Sequence, residues 1–289
     1  MCIHRVEYID MVVLSLFDGI GCAKVALSNM GIQHKYYSSE IDKYCINVLN
    51  SNYADVIHLG DIKGINEPFE VDLLIGGSPC QGFSIAGKKL LFDDPNSRLF
   101  FEYVRVLNLV KPKYFIYENV QMPEDVSNTI SEHFGVSPIL IDAKNYSAQS
   151  RKRNFWTNIT DSVVKKDSDI VIRDIMNPYN GEYFKLDNFR IIKERPNYYQ
   201  YSLNDKDYFS AWSRIYKIDR KHPTITRANR GTYVADGDNV RKLSVNEIER
   251  LQGLPQGYTR VGKSNSRCIQ MIANGFSVPV IEELLSYII

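Results

Sequence analysis

Residues 11 to 17, MVVLSLF, are apolar at every position but Ser15 and run directly into the turn DGIG. A strand that is apolar without alternation is buried on both faces, and a sheet is buried on both faces only when helices cover each of them. The segment after the turn, CAKVALSNM, has helical spacing. The same succession recurs at KYYSSE (35–40), DVIHLGD (55–61), VDLLIGG (71–77) and KYFIYENV (113–120), with the helical stretches IDKYCINVLNSN and SRLFFEYVRVLNLV between them. This alternation predicts an α/β fold, a doubly wound and mostly parallel sheet that binds its ligands at the carboxyl ends of the strands.

Past residue 160 the pattern changes to short, aromatic-rich pieces with turn signals, such as NPYNGEY, ERPNYY and ANRGTY, until the helical SVNEIERLQ at 244–252. The expected organisation is a sheet domain over 1–160, a smaller domain over 161–270, and a C-terminal helix, 271–289, that returns to the first. Charge is distributed unevenly along this plan. Residues 1–143 hold 11 Lys/Arg against 18 Asp/Glu, whereas 144–230 hold 18 against 10, so a net charge of +1 conceals a basic middle. Tyrosines and phenylalanines are interleaved with those cations (Tyr179, Tyr183, Phe184, Phe189, Tyr198, Tyr199, Tyr201, Tyr216), a mixture suited to a polyanion with stackable groups.

Other classes are excluded by composition. No run of 18 apolar residues occurs, and Arg5, Glu7 and Asp10 interrupt the first segment, so the expectation is a cytoplasmic protein without a membrane span. Five cysteines in odd number, with no CxxC spacing, argue against a disulfide framework and a zinc site. Cys22, Cys45 and Cys268 read as structural, and His34, His58, His133 and His222 have no metal-binding spacing, so no metal is expected.

The candidate functional residues fall at strand ends. Phe17, Asp18, Gly19, Ile20 and Gly21 follow the first strand, where glycines let backbone approach a ligand, although a turn without a ligand would carry the same residues. Glu40 ends the second strand, 19 residues after Gly21, the place of an acid that accepts from ribose hydroxyls. Asp61 ends the third and can accept from an exocyclic amine. Without a full GxGxxG or a GxxxxGK[ST], the constellation suits a nucleoside better than a pyrophosphate or triphosphate. The fourth strand delivers Cys80, in GGSPCQGFS, and the fifth delivers Glu118. A thiolate adds to carbon 6 of a pyrimidine if an acid neutralises charge at nitrogen 3, and carbon 5 then becomes nucleophilic toward an electrophilic methyl group.

These stretches resemble the DNA cytosine carbon-5 methyltransferases in the family's order: LFDGIG (16–21), GGSPCQGFSIAG (76–87), ENV (118–120), QSRKR (149–153), RLQGLP (250–255) and GFSVP (275–279). IGGSPC, SRLFFEYVRVL, PILIDAKNYSAQSRKRNFW and FSVPVIEEL are particularly similar to the catalytic domain of the eukaryotic de novo enzymes, whereas PCQGFSIAG is closer to bacterial and phage modification enzymes. The resemblance implies a Rossmann-like S-adenosylmethionine-dependent fold whose domain at 161–270 recognises the target. It implies Cys80 as nucleophile, Glu118 as the acid at nitrogen 3, and Arg151 and Arg153 as the groups that hold the base and orient the carboxylate. Phe17, Asp18, Gly19, Ile20, Gly21, Glu40, Ile41, Asp61, Ile62, Pro79, Ser277 and Val278 would line the pocket of S-adenosyl-L-methionine, released as S-adenosyl-L-homocysteine. Phe276 departs from the pattern, standing where the family's GNSVP has asparagine.

Double-stranded DNA is the implied partner. Gln81, Ser84, Lys88 and Lys89 would meet it from the loop after Cys80, and Thr226, Arg227, Asn229 and Arg230 of HPTITRANRGTY would read base edges. A cognate restriction endonuclease, a monomeric state and a cytoplasmic, nucleoid-associated location complete the expectation. Two alternatives stay open. One is a transfer RNA cytosine-5 methyltransferase, against which stand the serine before Pro79 and the lack of a CFT tripeptide. The other is a catalytically silent regulator, which would be expected to have lost the thiol, the acid or the glycine turn.

Overall fold

The computed structural model describes residues 11–79, 98–202, 213–227, 232–261 and 264–289. Its contacts divide the chain into two compact units. One runs up to Ile141 and includes Lys152–Val164 and Val280–Ile289; the other consists of Asp142–Arg151 and Lys165–Pro279. Compared with the expected domains, the second unit also takes in 142–151 and 271–279.

In chain order the first unit contains β1 (Met11–Leu16), α1 (Cys22–Asn29), β2 (His34–Ser39), α2 (Lys43–Asn52) and β3 (Ile57–His58). It continues with β4 (Leu73–Gly76), α3 (Arg98–Val110), β5 (Tyr114–Val120), α4 (Glu124–Phe134), β6 (Ile139–Asp142) and β7 (Lys152–Thr157). The seven-stranded sheet has the order β3-β2-β1-β4-β5-β7-β6. Strands β1 to β5 pair in parallel and β7 pairs antiparallel to β5, so the sheet is mostly parallel, as the unbroken apolar runs require. The chain steps outward from β1 to β3 and then returns to β4 on the other side of β1. That reversal opens a crevice at the carboxyl ends of β1 and β4.

The registers Leu16↔Ser39 and Leu16↔Gly76 bring the ends of β1, β2 and β4 level. Gly76 makes this close packing possible: a Cβ there would lie 2.7 Å from the Leu16 carbonyl oxygen and 3.0 Å from the Tyr103 ring. Beneath the crevice lies a core of Leu14, Leu16, Leu74, Phe100, Tyr103, Val106, Tyr117 and Trp156. Helix α3 contributes Phe100, Tyr103, Val106 and Val110, one helical face, and each such side chain stabilises the fold by about 1.5–3 kcal/mol.

The stretch DVIHLGD gives less strand than its sequence suggests. Only Ile57 and His58 join the sheet, on Tyr37 and Ser38 of β2, because Lys24 holds the Asp55 carboxylate at 2.6 Å on one side and Gly60 turns with φ 73° on the other.

The second unit contains α5 (Ile172–Ile175), β8 (Phe184–Lys185), β9 (Ile191–Glu194), β10 (Tyr198–Tyr201), β11 (Arg214–Lys217), β12 (Tyr233–Asp236) and β13 (Asn239–Lys242). It also holds α6 (Val245–Gln252), α7 (Asn265–Asn274) and the start of α8 (Val278–Leu285). Its strands form a six-stranded sheet in the order β8-β13-β12-β11-β10-β9. Tyr201, Ile215, Ala235 and Val240 form the apolar core of one face, packed by Phe189, Tyr199 and Tyr233. A buried ion pair, Arg241 to Glu247 at 2.7 Å, ties β13 to α6, and the same carboxylate accepts the Ser244 N–H as an N-terminal cap.

Candidate active site

The turn after β1 departs from ordinary backbone geometry at three of five residues: Phe17, Gly19 and Gly21 have φ of 54°, 59° and 76°. Glycine adopts this conformation freely, whereas Phe17 does so at a cost of order 1–3 kcal/mol, strain that clusters where a ligand is held. Two carboxylates hold the turn. Asp18 is buried and accepts from the hydroxyls of Ser15, Tyr36 and Ser38, each at 2.7 Å. Burial pushes its carboxyl from 3.8 up to about 6, against the three hydrogen bonds that favour the charged form. The Asp18 side chain therefore faces into the fold, and only its backbone lines the turn.

Glu40 faces the crevice. Its Oε2 accepts from the Gly19 N–H, and its Oε1 from the Ile41 and Asp42 N–H groups, all at 2.8 Å. A carboxylate has about four acceptor sites, so three backbone donors lock it in place and leave capacity for a hydroxyl. Beside it Ile41 is 71% exposed, an apolar surface on the lip of the crevice. Asp61 follows β3 and caps a short 3₁₀ turn by accepting the Lys63 N–H at 3.0 Å, with Ile62 buried beneath. Arg105, which sequence reasoning passed over, secures this turn: it donates to the carbonyls of Ile65 and Ile62 at 2.7 and 2.9 Å, and Glu102 holds its Nε at 2.8 Å.

The exit of β4 is anchored to β5. The Ser78 and Tyr117 hydroxyls are 2.6 Å apart, and Asn119 donates to the Ser78 carbonyl at 3.3 Å and to the Tyr117 hydroxyl at 3.1 Å. Burial pushes the Tyr117 phenol up to about 12, so it stays protonated. Tyr117 and Asn119 point to one side of β5, and Glu118 between them points to the other. There Arg153 of β7 meets it, Nε to Oε1 at 2.9 Å, in a partly enclosed pair whose side chains are 16% and 12% exposed. The antiparallel register Glu118↔Phe155 and Val120↔Arg153 places this cation one step past the acid. Neither β7 nor the Tyr117–Ser78–Asn119 network is apparent from periodicity, although Asn119 lies inside the quoted ENV.

Pro79 is exposed at the end of this anchored exit. Cys80, Gln81, Ser84, Lys88 and Lys89 lie outside the described residues, as do Asn229 and Arg230. The remaining candidates belong to the second unit. Arg151 is buried there, donating to the Gly275 carbonyl at 3.0 Å. Ser277 is buried, and its Oγ has no hydrogen-bond partner among the described residues; Val278 is fully buried. Phe276 is buried next to them, and Thr226 and Arg227 are exposed. No group of three His, Cys, Asp or Glu side chains suited to a metal occurs among the described residues.

Chemically, the first unit offers a glycine turn with a carboxylate of spare acceptor capacity at the ends of β1 and β2 and, beyond β4 in the sheet, a second carboxylate, on β5, held by a guanidinium. Residues 11–289 match the C-5 cytosine-specific DNA methylase family. The chain is 34% identical over 201 residues to the orphan methyltransferase M.SPRI of Bacillus phage SPR, a match covering 62% of this chain and 46% of that protein, less than half its length. It is 29% identical to the type II methyltransferase M1.ScrFI of Lactococcus lactis subsp. cremoris, covering 94% of this chain and 76% of that protein. In fold it is similar to Spodoptera frugiperda DNMT2, with a TM-score of 0.70 at 20% identity over 96% of this chain and 99% of that one. The fold is thus that of the S-adenosylmethionine-dependent methyltransferases, and the chain belongs to the C-5 cytosine-specific DNA methylase family.

Proposed function

We propose that this chain methylates carbon 5 of cytosine in double-stranded DNA, using S-adenosylmethionine. The observation that carries the reading is the Glu118–Arg153 pair at the end of β5, beside the anchored β4 exit that leads to Cys80, in a chain that matches its family over 11–289. The donor's chemical demands fit the residues present: Glu40 is fixed for ribose hydroxyls, Ile41 offers an apolar face to a base, and Asp61 is set at the neighbouring strand end. When bound, S-adenosylmethionine supplies an electrophilic methyl group to carbon 5.

The chain's own residues do the rest. The Cys80 thiolate bonds to carbon 6 of the base. Glu118, oriented through Oε1 by Arg153, presents its other oxygen to nitrogen 3 and delivers a proton there as charge builds. Arg153 also holds the base. After carbon 5 is methylated its proton leaves to a base, the Cys80–carbon 6 bond breaks, nitrogen 3 returns its proton to Glu118, and the thiolate is regenerated. Carbon 6 is inaccessible in a stacked duplex, so the cytosine is rotated out, at a cost of a few kcal/mol.

Cys80→Ser tests the assignment. A hydroxyl is far less ionised than a thiol, so transfer of tritiated methyl groups to duplex DNA should fall to background. Bisulfite sequencing of DNA from cells expressing the wild type should show protected cytosines at one motif. A variant that works at near the wild-type rate, or a wild type that methylates transfer RNA in place of duplex DNA, would overturn the reading.

A further inference from the structure

The second unit contains a cleft of about 660 Å³ that no residue role described so far uses. The strand register builds its floor. Pairing of Tyr198 with Tyr216 and of Gln200 with Arg214 places Tyr198, Arg214 and Tyr216 on the face of the sheet opposite the apolar cluster of Tyr201 and Ile215. On this face the Arg214 guanidinium lies over the Tyr198 ring, 4.5 Å from its centroid, and the two tyrosine rings are 5.8 Å apart. Lys144, Arg220 and Lys221 also line the cleft, against the single carboxylate of Asp219.

Lys144 has a second carboxylate, Asp142, at 4.0 Å, and Asp142, Asp169 and Asp174 act on Lys221, so the weakly balanced cations of the cleft are Arg214 and Arg220, with Asp219 as the acid beside them, an arrangement that an entering anion would relieve. The acid does little to offset them, because the Asp219–Arg220 contact is long, 3.5 Å, and both side chains are about half exposed. Lys221 is already committed, donating to the carbonyls of Ser147 and Ser168, so it contributes field more than direct bonds. Arg214, over the Tyr198 ring, reaches Gln200 Oε1 through Nε at 3.4 Å and also bonds the Tyr216 hydroxyl, and its five N–H donors leave capacity for a phosphate.

We propose that this cleft holds the phosphodiester backbone of the DNA substrate outside the target nucleotide, with Arg214 and Arg220 as the phosphate contacts and Tyr198 as the platform that sets the Arg214 plane. The inference rests on the proposed DNA substrate and adds to it a site with its own residues. It accounts for the basic stretch as an electrostatic grip that is indifferent to sequence, separate from base reading.

The test is the salt dependence of binding of the full-length protein to a duplex containing its methylation motif, for the wild type, Arg214→Gln, Arg220→Gln and the double variant. Each lost phosphate contact should reduce the slope of log affinity against log salt by about 0.9, weaken every sequence alike, and leave the methylated motif unchanged. Arg214→Lys keeps the charge and should restore most of the slope. Arg220 is about half exposed, so Arg220→Gln does not threaten the fold. If the double variant melts like the wild type and keeps its slope and affinity, the cleft does not hold phosphate. A lower affinity with an unchanged slope would overturn the proposal equally, by showing a contact other than phosphate. If the wild type itself neither binds nor methylates duplex DNA, it is the parent reading that has failed.

Discussion

Asp18 shows how far one residue's chemistry can be read before the fold is known. Its sequence position marks it as part of a ligand turn, yet its carboxylate is buried beneath that turn and held by Ser15, Tyr36 and Ser38. The three partners come from β1 and β2, so only the pairing of those strands reveals them. Burial raises its pKa from 3.8 to about 6, and an acid raised in this way binds its proton more tightly folded than unfolded. The stability associated with that proton is complete below about pH 4, falls as the pH rises toward 6, and stays lost above it. The shift corresponds to roughly 3 kcal/mol at most. Asp18→Asn can keep all three contacts, with its Nδ2 donating to the Ser38 hydroxyl, and carries no buried charge. Set against the lost charge-assisted bonds, it should stabilise the protein by about 1–2 kcal/mol near pH 8 and by clearly less near pH 5. Thermal melting at the two pH values decides: the same offset at both would show that the carboxylate carries no such penalty.

Among the elements, those with unbroken apolar runs were legible. MVVLSLF and KYFIYENV became β1 and β5 nearly to the residue, and SRLFFEYVRVLNLV became α3. Strands that are apolar on one side only were not: β7 and the six short strands of the second unit mix charged and aromatic residues, and their pairing depends on partners distant in the chain. Glu40 and Glu118 could be singled out because one follows and the other lies near the end of a strand the sequence shows. Arg105 could not, because its two carbonyl acceptors lie some 40 residues earlier, in a turn with no periodic pattern. Its location makes it a positioning residue for the proposed donor pocket, joining α3 to the turn that follows Asp61. Arg105→Ala should raise the KM for S-adenosylmethionine about tenfold, consistent with losing one or two charge-assisted hydrogen bonds, and leave kcat within about twofold. Arg105→Lys, which can still reach one carbonyl, should recover part of the loss. A fall in kcat with donor KM unchanged would show that the contact serves general folding and not the pocket.

The whole molecule divides its charge between its units. The first carries 13 Lys/Arg against 20 Asp/Glu, net −7, and the second 22 against 14, net +8. This division of charge fits the proposed function, in which the acidic unit would take the small donor and the basic unit the polyanion, with sequence recognition in the second unit, within residues 161 to about 245. On the proposed function, the sheet's carboxyl edge would serve donor, thiol and acid, so base reading is sought among the residues of the second unit. Within it the segment HPTITRANRGTY is rooted before it becomes exposed. His222 bridges to Gln149, Thr224 donates to the Ser150 carbonyl at 2.9 Å, and the Gln149 side chain accepts the Ile225 N–H at 3.0 Å. Burial holds the His222 imidazole down at about 4, so the root is neutral, and the charge begins at exposed Arg227. A fixed root that leads to exposed Thr226 and Arg227 can fix register on a duplex, and Arg227, Asn229 and Arg230 are residue types that read guanine and adenine edges. Replacing each singly by alanine separates this role from that of the cleft. A base-reading residue should relax the methylated motif at one position and cost about 1–3 kcal/mol at the cognate site. A phosphate contact should instead weaken all sequences alike and lower the salt slope by about one. If all three variants keep the wild-type motif, affinity and salt slope, the enzyme reads its sequence from another part of the second unit.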